Sequence, residues 1–194
     1  MHTIIAFLIP LMLFCSCTRH SQDRKYTSHT GSEYSPEAGY SVSLPTGWTK
    51  VTDQELIDRR VLWSIDTVYT RERHKNQIDA WDAPKDIDGF LTVMKVDLLS
   101  GFSREGFTFK EYIDYVICTL KENGVMVQET GTCPIDSHRS KWWVFSIGNG
   151  YLQQKCYAVP HKGFAYIFVF TTTYLSEEKN KLFDEIAKSV KFYS

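Results

Sequence analysis

The most constraining stretch of this chain runs from Lys141 to Thr172. Three segments in it, Lys141–Ile147, Tyr151–Val159 and Phe164–Thr172, consist largely of aromatic and β-branched residues, which suit the pleated surface of a sheet. Short turns divide them. Asn149-Gly150 is the strongest hairpin signal, because a two-residue type I′ turn needs positive φ at both positions. A further run, Val125–Ile135, precedes them, so the pattern predicts an antiparallel meander. A sheet with one wet face alternates apolar and polar residues along each strand. Trp142-Trp143-Val144-Phe145 and the run from Phe164 to Phe170 do not alternate, so both faces of this sheet must be covered.

Helical spacing supplies the cover. Phe109, Ile113, Val116, Ile117 and Leu120 form one apolar stripe and predict a helix from about Thr108 to Glu122, stopped by Asn123-Gly124. Ser176 is the N-cap of a last helix, with Glu177 and Glu178 in the first turn where the dipole favours them. Leu182, Phe183, Ile186, Ala187 and Val190 are its expected core side. Upstream, Thr52-Asp53-Gln54-Glu55 is a capping box. Ile57, Val61, Ile65 and Val68 then predict a helix from about Asp53 to Tyr69. Tyr40–Leu44 alternates as an opening strand closed by Pro45-Thr46-Gly47, and Gln77–Trp81 and Phe90–Leu99 read as strands. The expected fold class is α/β (α+β), an α/β/α sandwich with a central, mostly antiparallel sheet covered by helices on both faces.

Ser43-Leu44-Pro45-Thr46-Gly47-Trp48 follows the opening strand, and a mid-chain helix ends at Asn123-Gly124. The meander comes next, then a closing helix that reaches Ser189-Val190-Lys191-Phe192. This order of parts resembles the PsbP-like fold, an α/β/α sandwich found in photosystem extrinsic subunits, a Ran-binding protein and many bacterial lipoproteins. The resemblance spans about Glu37 to Ser194. It implies a non-enzymatic accessory or binding domain, because the family has no shared catalytic residues to carry over.

The first residues point to a compartment. Apolar Ile4–Phe14 ends as Leu13-Phe14-Cys15-Ser16-Cys17 and turns polar at Thr18-Arg19-His20-Ser21. A bilayer span needs about 20 apolar residues. This run is about half that length and holds Pro10, so it reads as a secretory signal. It resembles the lipobox of bacterial lipoproteins, in which the cysteine becomes the acylated first residue. Cys17 is the expected lipidation site, since Cys15 follows Phe14, a poor cleavage residue. The expected organisation is a signal peptide over 1–16, a lipidated flexible tether over 17–38 and a globular PsbP-like domain over 39–194. The location this implies is the bacterial envelope, lipid-anchored on the periplasmic side, with the membrane and an envelope protein as partners.

The formal charge of −1 offers no basic stripe for a nucleic acid. His74, His138 and His161 fall in segments read as turns, without a second ligand at metal spacing, and are expected to be solvated. Asp79, Asp82, Asp86 and Asp88 supply only a fragment of a calcium loop and read as a polar turn. G-x-S-x-G, a phosphate-cradling glycine loop and C-x-x-C are all missing from the sequence. The expectation is therefore no enzyme, no cofactor and no metal. One patch merits a functional reading: Arg71, Arg73, His74 and Lys75, with Arg59 and Arg60 upstream, suit an anionic partner or lipid head groups. The same residues also suit a solvated helix end. Trp142 and Trp143 are strand neighbours and point to opposite faces. Cys133 and Cys156 are expected on opposite faces and Cys118 on the wet side of its helix, so all three are expected unbridged. In that placement a two-residue turn sets Cys156 opposite Trp143, and a four-residue turn over Asp136–Arg139 sets Cys133 opposite Trp142. The function expected is an accessory or adaptor binding module. The alternative is a small-molecule or lipid receptor with a pocket between sheet and helix, and a hydrolase comes a distant third.

Overall fold

The computed structural model describes residues 26–28, 31–35, 38–52, 77–99 and 106–193. Eleven strands and two helices fall within them. The strands are β1 (Tyr26–Ser28), β2 (Gly31–Ser35), β3 (Tyr40–Leu44), β4 (Thr49–Val51), β5 (Gln77–Asp82), β6 (Gly89–Asp97), β7 (Met126–Ile135), β8 (His138–Ile147), β9 (Leu152–His161), β10 (Phe164–Thr172) and β11 (Lys191–Phe192). The helices are α1 (Phe109–Glu122) and α2 (Glu177–Lys188). One sheet has eight strands in the order β1-β4-β5-β6-β10-β9-β8-β7, and a second has three, β11-β3-β2. Pairing is antiparallel in both sheets. The helix expected over Asp53–Tyr69 lies outside the described residues.

Caps fix the helix ends. Thr108 accepts from the backbone N–H of Glu111 while Glu111 accepts from that of Thr108, a full capping box. Asn123 closes α1, and Gly124 follows at φ +73°, a conformation glycine adopts without a Cβ penalty. Ser176 caps α2 as expected, accepting from Lys179.

Adjacent residues of the central strands enter opposite clusters. Tyr157, Val159, Tyr166, Phe168 and Phe170 belong to one, and Cys156, Ala158, Ala165, Ile167 and Val169 to the other. Tyr112, Ile113, Val116 and Leu120 of α1 join the second cluster. Phe183, Ile186 and Ala187 of α2 join the first, together with Tyr40, Val42 and Leu44 of β3. The small sheet therefore shares that face with the helix. The reason is size: the 12 residues of α2 are about 18 Å long, whereas eight strands spread over roughly 34 Å.

Four details differ from expectation. Leu182 is only half-buried and packs against the rim of its cluster. The β7–β8 turn has two residues, Asp136 and Ser137, at φ +45° and +67°. It therefore places Cys133 opposite Ser140, with Trp142 opposite Gly131. The predicted faces survive this shift of two residues: Cys133 packs with the first cluster and Cys156 with the second, and neither they nor Cys118 form a disulfide. Lastly, β1 and β2 fall inside the stretch read as a tether. They pair with β4 and β3 through the backbone, which needs no apolar side chains.

Candidate functional site

Cys17, the expected lipidation site, and the basic residues Arg59, Arg60, Arg71, Arg73, His74 and Lys75 lie outside the described residues. Within them, polar chemistry gathers in four places.

Two are buried charge clusters on the face shared by α2 and the small sheet. Lys50 Nζ stands 3.0 Å from Asp79 Oδ1, Tyr40 donates its hydroxyl to Asp79 Oδ2 at 2.6 Å, and the ammonium sits 5.4 Å from the Trp81 ring centre. Asp79, one of the four aspartates read as a polar turn, is thus a buried strand residue with two partners. On the other side, Lys155 Nζ stands 2.8 Å from Asp184 Oδ1 and also donates to Asn180. Tyr157 donates to the same carboxylate at 2.5 Å. The Lys155 ammonium lies 5.2 Å from the Trp142 ring centre. That indole lies across β7, where only a glycine fits: a Cβ at Gly131 would stand 2.6 Å from it. Burial alone would raise the Asp184 pKa, but hydrogen bonds from Lys155 and Tyr157 outweigh it and hold the carboxyl below its ordinary value. Burial, then the bond to Asp184, raises the Tyr157 hydroxyl far above a normal phenol. Nearby Cys133 is raised by burial and by Asp184. These groups pin α2 and β3 to the sheet.

The third place is an imidazole pair. The sequence reading left His138 and His161 as separate solvated turn residues. Both are half-buried strand residues, with His161 Nδ1 3.3 Å from His138 Nε2. Continuing the β8–β9 register, in which Lys141 faces Ala158, brings the two opposite each other. Phe192 of β11 stacks on His161 at 4.6 Å between ring centres. Asp136 accepts the Phe192 N–H at 2.7 Å, which lowers the Asp136 pKa, and Lys191 Nζ stands 3.4 Å from its other oxygen. Burial, with the charges of His138 and Lys162, lowers the His161 pKa. A register drawn three residues further from Asn149-Gly150 was the sequence signal that joins the two histidines.

The fourth is a cleft of about 680 Å³ at one end of the large sheet, where α1 ends and β7 begins. Val125, Met126 and Gln128 form one wall, Ser146 and Ile147 with the Gly148–Gly150 turn the other. Gln128 donates to Ser146 at 3.0 Å. The lining is neutral throughout, so the cleft can grip an uncharged or peptide-like group but has no side chain to move a proton there. Met126 is exposed on its wall, and Tyr151 follows the turn, exposed as well. The alternative sequence reading placed a pocket between sheet and helix, whereas this cleft opens beyond the end of the helix.

The reactive thiols are quiet. Cys118 is exposed as expected and donates to Glu122 at 3.4 Å, and that bond raises its pKa. Among the described residues no three metal-ligating side chains converge, and no helix is long and apolar enough to cross a membrane.

No family model matches the sequence, and no curated protein matches it. Solved structures do match. The solution structure of cyanobacterial PsbP from Synechocystis is similar at 14% identity and a TM-score of 0.54, covering 85% of this chain and 94% of that one. A crystal structure from Bacteroides thetaiotaomicron has a TM-score of 0.46 at 14% identity, over 84% of this chain and 48% of the other. The Ran-binding protein Mog1p of Saccharomyces cerevisiae has a TM-score of 0.46 at 9% identity, over 86% and 96%. The fold is PsbP-like.

Proposed function

We propose that this chain is a lipid-anchored envelope protein that acts by binding, as an accessory or adaptor module whose docking feature is the cleft at the end of the large sheet. The layering in this reading is α1 over one sheet face and α2 with the small sheet over the other. Both faces are filled by apolar side chains, which leaves the sheet's end for recognition. The carrying observation is the neutral, glycine-turned cleft flanked by exposed Met126 and Tyr151. It offers backbone groups and an apolar side chain to a partner. The PsbP-like fold supports the reading. Cys17 holds the module at the membrane, and the basic residues Arg71, Arg73, His74 and Lys75 supply charge suited to an anionic partner or head groups.

A photo-crosslinking residue placed at Met126, with a control at exposed Glu178 on α2, tests the cleft in native membranes. A discrete partner captured from position 126 and not from 178 supports the adaptor. Equal or no capture at both positions overturns it. Fatty-acid labelling tests the anchor separately: label must disappear in Cys17→Ser and persist in Cys15→Ser. The cleft's volume also lies in the range of small-ligand sites, about 300–1,000 Å³, which favours a receptor as the second reading. A small molecule that competes with capture at position 126 would mark it.

A further inference from the structure

We propose that His138 and His161 form a two-histidine chelate for a divalent transition-metal ion of the zinc class, open on its remaining coordination positions. His138 Nδ1 lies 2.7 Å from the carbonyl oxygen of Asp136. A carbonyl only accepts, so the ring proton sits on Nδ1 and Nε2 carries the lone pair. Metal-ligating histidines are oriented by this same kind of outer hydrogen bond. The facing atom, His161 Nδ1, is 3.3 Å away. Two nitrogens bound at 2.0–2.1 Å to one tetrahedral ion stand about 3.4 Å apart. The rings, crossed at 70° with centres 5.3 Å apart, already hold that bite.

The His161 ring also bonds the Tyr193 backbone carbonyl. With its proton on Nε2 toward that carbonyl, Nδ1 turns a lone pair to the lone pair of His138 Nε2, and an ion between the rings is bound by two neutral imidazoles with no net proton lost. The surroundings hold the rings in place. Phe192 stacks on His161 and stands edge-on to His138 at 5.5 Å. The carboxylate of Asp136 is occupied by the Phe192 N–H and Lys191, so it contributes charge rather than a ligand. A hollow of about 250 Å³ beside His138, lined also by Cys133 and Arg139, lets water reach the open positions. Two protein ligands make an exchangeable site rather than a structural one.

Zinc alone is the probe, titrated at neutral pH into the full chain carrying Cys118→Ser, so that the exposed thiol does not compete. Calorimetry is paired with imidazole nitrogen resonances. One saturable equivalent is expected to move the His138 and His161 resonances together. His138→Gln and His161→Gln are each expected to weaken it at least about tenfold. Zinc affinity unchanged from the parent in either variant overturns the site, as do shifts confined to the other histidines or a failure to saturate at millimolar zinc. Should a glutamine variant fail to fold, the resonances of the parent decide: both rings shift or the assignment fails.

Discussion

Lys50–Asp79–Tyr40 and Lys155–Asp184–Tyr157 bring the same three side chains, each with a tryptophan under the ammonium, to one face of the same sheet. Their burial is inverted. In the first, the carboxylate is the buried partner at 5% exposure and the lysine keeps 24%. In the second, the lysine is buried at 4% and the carboxylate keeps 36%. The origin of the parts is inverted too. Tyr40 reaches Asp79 from the small sheet, while Asp184 reaches Lys155 from α2. Each cluster thus pins a covering layer to the sheet, with the deeper charge supplied by the sheet itself. A buried charge is tolerable only while it is paired, and the cost of breaking a pair is set by the charge left behind.

The largest expected effects follow from that rule. Asp184→Ala strands a buried ammonium and Lys50→Met strands a buried carboxylate, so each should lower unfolding stability by about 3–5 kcal/mol. Lys155→Met and Asp79→Asn leave the better-hydrated partner and should cost about 1–2 kcal/mol. Urea unfolding of the four variants measures both orders. A lysine substitution that costs more than its aspartate partner at the α2 cluster, or less at the β3 cluster, breaks the comparison.

These clusters were hidden in the sequence for a physical reason. Lys155 sits in Gln153-Gln154-Lys155-Cys156, and nothing local says that its partners lie on a helix some 25 to 29 residues on. Local period reports which face a residue takes, not what the opposing layer brings to it. Where local physics decides, the reading was close: Tyr40–Leu44 and Phe164–Thr172 have their expected bounds, as does the Ser176 cap. It failed where chemistry was weak. Asp136-Ser137 makes a primed turn without glycine, and β11 is two residues held by pairing and by Phe192. His138 and His161 became visible as a pair only through the ladder between them.

A middle-sized effect reads the α2 cluster by pH. Hydrogen bonds from Lys155 and Tyr157, with the charges of Lys155 and Lys188, outweigh burial and hold Asp184 below its ordinary value, while Asn180 shares the lysine. A carboxyl whose folded pKa is depressed adds stability above its unfolded value of about 3.9, and that stability is lost as pH falls through the lower folded value. The wild type should therefore lose stability more steeply than Asp184→Asn below about pH 4. Parallel curves for the two proteins through that range would remove the linkage and leave the α2 cluster as packing alone.

The smallest effect sets the zero of the scale. Lys110 and Asp114 form the same kind of pair at 2.7 Å, one turn apart on α1, with the side chains 83% and 61% exposed. The bond and charge of Asp114 raise the Lys110 pKa, yet neither group is stranded when the other goes, because water takes the vacant place. No tyrosine and no tryptophan attend this pair. Exposed pairs of this geometry contribute little, and salt screens what they contribute. Asp114→Asn should leave the urea midpoint where it is, and raising the salt concentration should leave the two proteins equally unchanged. A shift as large as that of Asp79→Asn would mean that distance between charges, rather than burial of the one left behind, ranks these three pairs. The inversion between the two sheet clusters would then have no energetic content.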